Sequence, residues 1–138
     1  MEIPPRVRAL ISEGRLAHLV TIEPDGRPQI SGVWVGVDND EIVSGHLHPR
    51  QRKLANIRRD PRVALSIASG EHGPYGMEPY VVIHGSARIT EGGGADLLRR
   101  LSTVYLGPGV PFVPDDAPDG VVCHIRVDRI GGMGDWTH

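Results

Sequence analysis

The sequence predicts a mainly β, α+β fold: a six-stranded antiparallel β-barrel with about three flanking helices. Short apolar and β-branched runs are separated by 18 glycines and 12 prolines, in the way that strands are separated by turns. The 3.6-residue apolar period of an amphipathic helix is confined to a few short segments. The 138 residues, 39% of them hydrophobic and 23% charged, fit one globular domain over 1–138.

The first third of the chain predicts one helix and a meander of three strands. Pro4 and Pro5 favour a helix start, and Val7, Leu10 and Ile11 then follow a helical period. Tight turns rich in Pro, Asp, Asn and Gly separate the apolar runs behind this helix. The three strands are therefore expected at residues 16–22, 29–37 and 41–46.

The rest of the chain predicts two helices and three strands. Leu54 and Ile57 lie on one side of a helix over 49–60, which Pro61 ends. The remaining elements are a helix over 95–106 and strands over 62–68, 80–90 and 121–129. Two loops rich in glycine and proline, 69–79 and 107–120, are predicted to wall or cover a pocket. Residues 131–138 are predicted to form a C-terminal tail.

A basic segment coincides with the helix over 49–60. All but one of the 15 basic residues of the chain are arginines, and the single lysine is Lys53. The segment from Arg50 to Arg62 carries six basic residues and one acid, although the whole chain has a net charge of −2. On a helical wheel, Arg50 falls on the buried side and Lys53 at its border. The solvent side receives Arg52, Asn56 and Arg59.

Cations in the first turn of a helix oppose its macrodipole, so their presence needs a reason. Backbone N–H groups at a helix N-terminus bind phosphate, and cations beside them strengthen that binding. Lys53 and Arg50 are therefore candidates for holding an anionic ligand. The alternative interpretation is a solvated, charged helix face.

The sequence lacks the motifs that are typical of several functional classes. A single cysteine, Cys123, excludes an intrachain disulfide and a CxxC site, and His124 beside it points to the opposite strand face. The glycine motifs of dinucleotide-binding and P-loop proteins and the G-x-S-x-G motif are absent. The negative net charge and an aromatic content of 4% disfavour a nucleic-acid partner. No apolar run reaches the roughly 18 residues of a membrane span, and the N-terminus has no secretory signal, so a cytoplasmic location is expected.

His46 and His48 alternate at the end of the third predicted strand. This spacing can supply two metal ligands, but the sequence has no H-E-x-x-H motif to accompany them. The other interpretation places both histidines near the phosphate or tail of a bound cofactor. No metal is expected.

Two segments carry a resemblance to a known family. Residues 19–31 read Leu-Val-Thr-Ile-Glu-Pro-Asp-Gly-Arg-Pro-Gln-Ile-Ser, and residues 50–65 read Arg-Gln-Arg-Lys-Leu-Ala-Asn-Ile-Arg-Arg-Asp-Pro-Arg-Val-Ala-Leu. With the order of elements, they resemble the pyridoxamine 5′-phosphate oxidase-like split β-barrel superfamily. More narrowly, they resemble the actinobacterial flavin/deazaflavin oxidoreductases that use coenzyme F420.

The resemblance implies a split barrel that forms a homodimer, with two cofactor sites at the subunit interface. It implies that Lys53, with Arg50 or Arg52, holds the cofactor phosphate. It also implies that the strand from Gln29 to Val35 lies beneath the tricyclic ring, with Gln29, Ser31 and the local backbone as polar contacts. The remaining predicted cofactor contacts are Val33, His48 and Trp136.

The two tryptophans each have a second interpretation. Trp34 can be a core aromatic or can line the pocket. Trp136 can cover the ring in the partner subunit's site or can belong to a frayed chain end.

The function implied is an F420-dependent oxidoreductase that transfers hydride from reduced F420 to a small unsaturated, heteroaromatic or quinone acceptor. The cofactor would carry the chemistry, and no side chain stands out as a general acid. The alternatives are an FMN-dependent oxidase or reductase on the same barrel and a non-catalytic protein that binds F420 or heme.

Overall fold

The computed structural model describes residues 1–137. Over that range the chain forms three α-helices, seven β-strands and a short 3₁₀ turn at Pro74–Gly76. In chain order the elements are α1 (Pro5–Ile11), β1 (Ala17–Ile22), β2 (Pro28–Val33), β3 (Gly36–Asp38), β4 (Glu41–His46), α2 (Arg52–Arg59), β5 (Arg62–Ala68), β6 (Tyr80–Glu91), α3 (Gly94–Tyr105) and β7 (Val121–Met133). The prediction of a mainly β fold with three helices is confirmed.

The strands form one antiparallel sheet in the order β2-β1-β5-β6-β7-β4-β3. The prediction of six strands is wrong, because the single strand expected over 29–37 is two strands, β2 and β3. The predicted meander is wrong for the same reason, since β2 pairs with β1 while β3 pairs with β4. These two strands are the end strands of the sheet and do not pair with each other, so the sheet does not close into the predicted barrel.

Trp34 and Val35 form the link between β2 and β3, and this link leaves the strand ladder. The Val35 N–H donates to the Tyr105 hydroxyl at 3.0 Å, and that hydroxyl donates to the Arg15 carbonyl at 3.0 Å. The Tyr105 side chain of α3 thus supplies hydrogen bonds to backbone groups that have no partner on a neighbouring strand. Buried backbone N–H and C=O groups need such partners. The chain can therefore cross from one end of the sheet to the other.

The core lies on the inner face of the sheet. Alternation along β1 buries Ala17, Leu19 and Thr21, and leaves His18 on the outer face. The largest fully buried side chains are aliphatic and include Leu54 of α2 and Ile83 of β6. Helix α2 lies against β1 and β6, so its buried side packs on these two strands.

Helix α3 lies against β4 at very short range. A Cβ atom on Gly94 would lie 2.5 Å from the Val121 carbonyl oxygen and 2.6 Å from the His46 carbonyl oxygen. A Cβ atom on Gly45 would in turn lie 2.6 Å from the Gly94 carbonyl oxygen. Two facing glycines therefore allow helix and strand to meet backbone to backbone.

The chain end differs from the predicted tail. Strand β7 continues to Met133 and pairs with β6 throughout, so residues 131–133 are sheet. Beyond it, Trp136 is buried and its indole N–H lies 2.9 Å from the Tyr80 carbonyl oxygen. The alternative of a frayed end is therefore wrong up to Trp136, and His138 lies outside the described residues. Within residues 1–137, no helix is both long enough and apolar enough to cross a membrane.

Candidate functional site

A cavity of about 370 Å³ lies where the ends of β2 and β4 meet the start of α2. Leu98 of α3 and Phe112 of the 107–120 loop complete its wall. The volume falls within the range of small-molecule pockets, about 300–1,000 Å³. Three of the predicted ligand residues, Val33, His48 and Lys53, line this cavity, which makes it the candidate functional site.

Lys53 is the half-buried cation of the cavity. It is the second residue of α2, whose first turn contains no acidic side chain. Its ammonium forms no hydrogen bond or ion pair with any of residues 1–137. Burial lowers the pKa of this ammonium, because desolvation disfavours the charged form. A partly desolvated cation without a protein counter-ion is suited to an anionic ligand.

Asn56 does not face solvent, contrary to the helical-wheel prediction. Its side chain is buried and donates to the Thr21 hydroxyl at 3.0 Å and to the Gln29 side-chain oxygen at 3.3 Å. The Thr21 hydroxyl also donates to Gln29 at 3.0 Å. This polar triad attaches α2, the helix that carries Lys53, to the hairpin of β1 and β2.

His46 lies at the end of β4, with only 5% of its surface exposed. Its Nε2 is 2.8 Å from the Ser44 hydroxyl, and its Nδ1 is 3.1 Å from the Gln51 side-chain oxygen. Burial and the nearby Lys53 cation lower the pKa of the imidazole from 6.5 to about 4. The ring is therefore neutral at physiological pH and forms part of the cavity wall.

An aromatic cluster forms the wall on the side of α3. The Trp34 ring stacks on Tyr105 with centroids 5.1 Å apart and lies 4.6 Å from the Phe112 ring. Trp34 also lines the cavity, so both interpretations of this residue hold. Phe112 shows that the 107–120 loop contributes to the pocket wall, as predicted, whereas the 69–79 loop contributes no lining residue.

The other predicted cofactor residues lie outside the cavity lining. Gln29 is engaged with Thr21 and Asn56, and the Ser31 hydroxyl is the one buried side-chain polar atom of residues 1–137 without a hydrogen-bond partner. Arg52 is exposed and pairs with Glu23 at 3.2 Å. The remaining two are exposed Arg50 and buried Trp136.

Two of these positions differ from the expectations. The helical wheel placed Arg50 on a buried side, but α2 begins only at Arg52, so Arg50 precedes the helix and is exposed. Trp136 packs near α1, with the Arg6 guanidinium 5.9 Å from its ring centroid. In this chain it is therefore remote from the cavity.

Sequence reasoning missed Gln51, Leu98 and Phe112 as cavity residues. Gln51 has no sequence signal of its own, since its role depends on where α2 begins. Phe112 had one, because it is the single phenylalanine of the chain and lies in the 107–120 loop that was predicted to wall a pocket.

The positions of the histidines and of Cys123 bear on metal binding and thiol chemistry. Among residues 1–137, no three His, Cys, Asp or Glu side chains cluster as metal ligands would. Cys123 and His124 lie on opposite faces of β7, as expected of neighbours in a strand. Burial raises the pKa of the Cys123 thiol to about 11, which keeps it protonated.

Residues 3–134 match the pyridoxamine 5′-phosphate oxidase family. The chain belongs to this family. The match covers nearly the whole chain, including the cavity and all seven strands, so the resemblance found in two segments of the sequence is confirmed.

Solved structures agree with this membership. An F420 reductase superimposes with a TM-score of 0.75 at 26% identity, over 90% of this chain and 94% of the reductase. A conserved hypothetical protein of Mycobacterium tuberculosis gives 0.73 at 27% identity, over 92% of this chain and 81% of its own. General stress protein 26 of Bacillus anthracis, at 17% identity and a TM-score of 0.63 over 93% and 91% of the two chains, shares the fold alone.

Proposed function

We propose that this member of the pyridoxamine 5′-phosphate oxidase family is an F420-dependent oxidoreductase. Its substrate would be a small unsaturated, heteroaromatic or quinone acceptor. The observation that carries the proposal is the half-buried Lys53 ammonium, which lines a cavity of about 370 Å³ and has no counter-ion among residues 1–137. The similarity to an F420 reductase at 26% identity supports the choice of cofactor.

The residues present fit a cofactor with a planar ring and a phosphate. The Lys53 ammonium and the backbone N–H groups of Arg52 and Lys53 would hold the phosphate, with the Arg50 or Arg52 side chain as a second cation. Val33 and Trp34 offer apolar surface to a ring. The unpartnered Ser31 hydroxyl, on the strand that the resemblance assigns to the ring, is available to a polar ring edge.

Each side chain would have a limited task in the reaction. A bound deazaflavin would supply the hydride, so the protein would need only to bind the cofactor, orient the acceptor and exclude water. Lys53 would anchor one end of the cofactor, and the Trp34 and Phe112 rings would exclude water from the other. No side chain of the cavity is assigned as a proton donor.

A binding titration with F420, FMN and heme in parallel tests the proposal. We expect saturable binding of F420 and weaker binding of the other two. Stoichiometric yellow FMN in the purified protein, or preference for FMN in the titration, would instead favour an FMN-dependent oxidase or reductase. Tight F420 binding without turnover over a broad panel of acceptors would favour a non-catalytic carrier.

Replacing Lys53 with alanine should weaken F420 binding by about 10- to 100-fold, since a charge-assisted hydrogen bond contributes about 1.5–3 kcal/mol. Lys53→Arg should recover only part of this loss if a compact ammonium is required, because the guanidinium has a different shape. The matched control is Arg58→Ala, which removes an exposed cation from the other end of α2. Equal affinity of Lys53→Ala and wild type would contradict the assignment.

We also propose that the active form is a homodimer. The outer face of β1 and β2 carries exposed apolar side chains, with Leu16 51% and Ile30 64% exposed. Leu16 and Gly32 also line the cavity, so a second copy on this face would cover it and complete the site.

Introducing charge on this face should dissociate the dimer and weaken F420 binding at the same time. We expect the double variant Leu16→Glu/Ile30→Glu to sediment as a monomer at micromolar concentration. Met77→Glu, a change at another exposed apolar side chain, should leave the dimer intact. If the wild-type protein sediments as a monomer, the proposal of a homodimer is wrong.

A further inference from the structure

His46 and Gln51 form a hydrogen-bonded pair whose direction is fixed by chemistry. The Gln51 side-chain oxygen, 3.1 Å from Nδ1, can only accept, so Nδ1 carries the proton and donates. In a neutral ring Nε2 is then the acceptor, and the Ser44 hydroxyl at 2.8 Å donates to it. One tautomer therefore satisfies both contacts.

The groups around His46 keep its ring neutral. Lys53 of α2 contributes a positive charge. On the neighbouring strand β7, the residue opposite Ser44 is Cys123, whose thiol is protonated and adds no charge. Burial and the Lys53 cation both disfavour a protonated ring. A neutral His46 donates a single hydrogen bond, and it donates that bond to Gln51.

Gln51 occupies the N-cap position of α2 but does not cap it with its side chain. Cap residues usually turn a side-chain oxygen onto the first helical N–H groups, whereas the Gln51 oxygen is bonded to His46 instead. Its amide NH₂ has no acceptor among residues 1–137, and the residue lines the cavity beside Lys53. The cavity therefore has two unused amide protons next to its cation.

We propose that His46 is a positioning residue: it holds the Gln51 side-chain oxygen, so that the Gln51 amide NH₂ donates to an anionic oxygen of the ligand bound by Lys53. This inference rests on the proposed anion site at Lys53. Gln51 is then the ligand contact, and His46 acts only through it. Without the Nδ1 donor, the amide is free to rotate and present its oxygen, which repels an anion.

Variants of both residues test the inference through F420 affinity. Gln51→Ala should weaken binding by about tenfold, and His46→Leu by a similar factor. His46→Asn should stay within about threefold of wild type, because the Asn amide can place a donor near the position of Nδ1. Adding His46→Leu to Gln51→Ala should cause no further loss, since His46 then has nothing to position.

Several outcomes would overturn the inference while leaving the proposed function intact. They are additive losses in the double variant, a His46→Asn variant as weak as His46→Leu, and a Gln51→Ala variant as tight as wild type. If His46→Leu fails to fold, His46→Phe, which keeps an aromatic ring but has no donor, takes its place in the comparison with His46→Asn.

A second measurement separates this inference from the choice of cofactor. In ¹⁵N-labelled protein titrated with inorganic phosphate, the Gln51 side-chain NH₂ signals should shift in wild type and in His46→Asn. They should not shift in Lys53→Ala, which lacks the anion site. Wild-type Gln51 signals that phosphate leaves unmoved would overturn the inference, whereas failure to bind F420 alone would overturn only the proposed function.

Discussion

Gly94→Ala should lower the free energy of unfolding by about 3 kcal/mol, the upper range for forcing extra atoms into a packed site. The new methyl group would meet backbone atoms of both β4 and β7 at 2.5–2.7 Å, and backbone cannot move aside as a flexible side chain can. Alanine is the better helix former by up to about 1 kcal/mol, which is too little to offset the clash. Urea unfolding followed by circular dichroism measures the difference.

The matched control for this change is Gly131→Ala. Gly131 lies in β7, and a Cβ atom there would meet nothing within 4 Å. We expect it to change stability by no more than about 0.5 kcal/mol. Equal stability of the two variants would mean that α3 can move away from β4 at little cost in free energy.

Because Leu98 of α3 lines the cavity, Gly94→Ala should also weaken ligand binding.

Acidification should destabilise the protein through His46. The folded pKa of about 4 lies below the ordinary 6.5, so between these values the unfolded chain binds more protons than the folded one. Stability is therefore fully present above pH 6.5 and falls as the pH drops toward 4. A shift of this size corresponds to about 3 kcal/mol. The groups that face the ring are Ser44, Gln51 and the Lys53 cation.

The measurement is the difference between wild type and His46→Asn across this range of pH, because the titrating carboxylates are common to both and cancel. We expect the wild-type free energy of unfolding to fall by about 3 kcal/mol more than that of the variant between pH 6.5 and 4. Parallel curves for wild type and His46→Asn would show that the ring is not held neutral by the fold.

Local patterns predicted most of the elements and the position of the cavity cation. Periodicity located all three helices, and the half-buried position of Lys53 followed from its angle to Leu54 and Ile57. Asn56 was misplaced because a wheel assigns polar residues to solvent, whereas Thr21 and Gln29 supply it with buried partners. Those partners are more than 25 residues away, so no local pattern contains them.

Local sequence patterns also could not predict that the strand expected over 29–37 is divided into β2 and β3. Trp34 and Val35 have high β-propensity, and only the sheet order reveals that the chain must leave one edge and reach the other. Gln51 became a site residue for a similar reason: its side chain faces His46 across the gap between β4 and α2. Contacts that join distant parts of the chain decide these details.

The position of β3 and β4 at one end of the sheet has a consequence during synthesis on the ribosome. The β3–β4 hairpin finds its other neighbour only in β7, which begins about 75 residues after β4 ends. At a synthesis rate of roughly 5–20 residues per second, the nascent hairpin waits about 4–15 seconds with one edge unpaired. The Tyr105 hydroxyl that bonds Val35 emerges before β7 does, so α3 can hold this hairpin while the last strand is still being made.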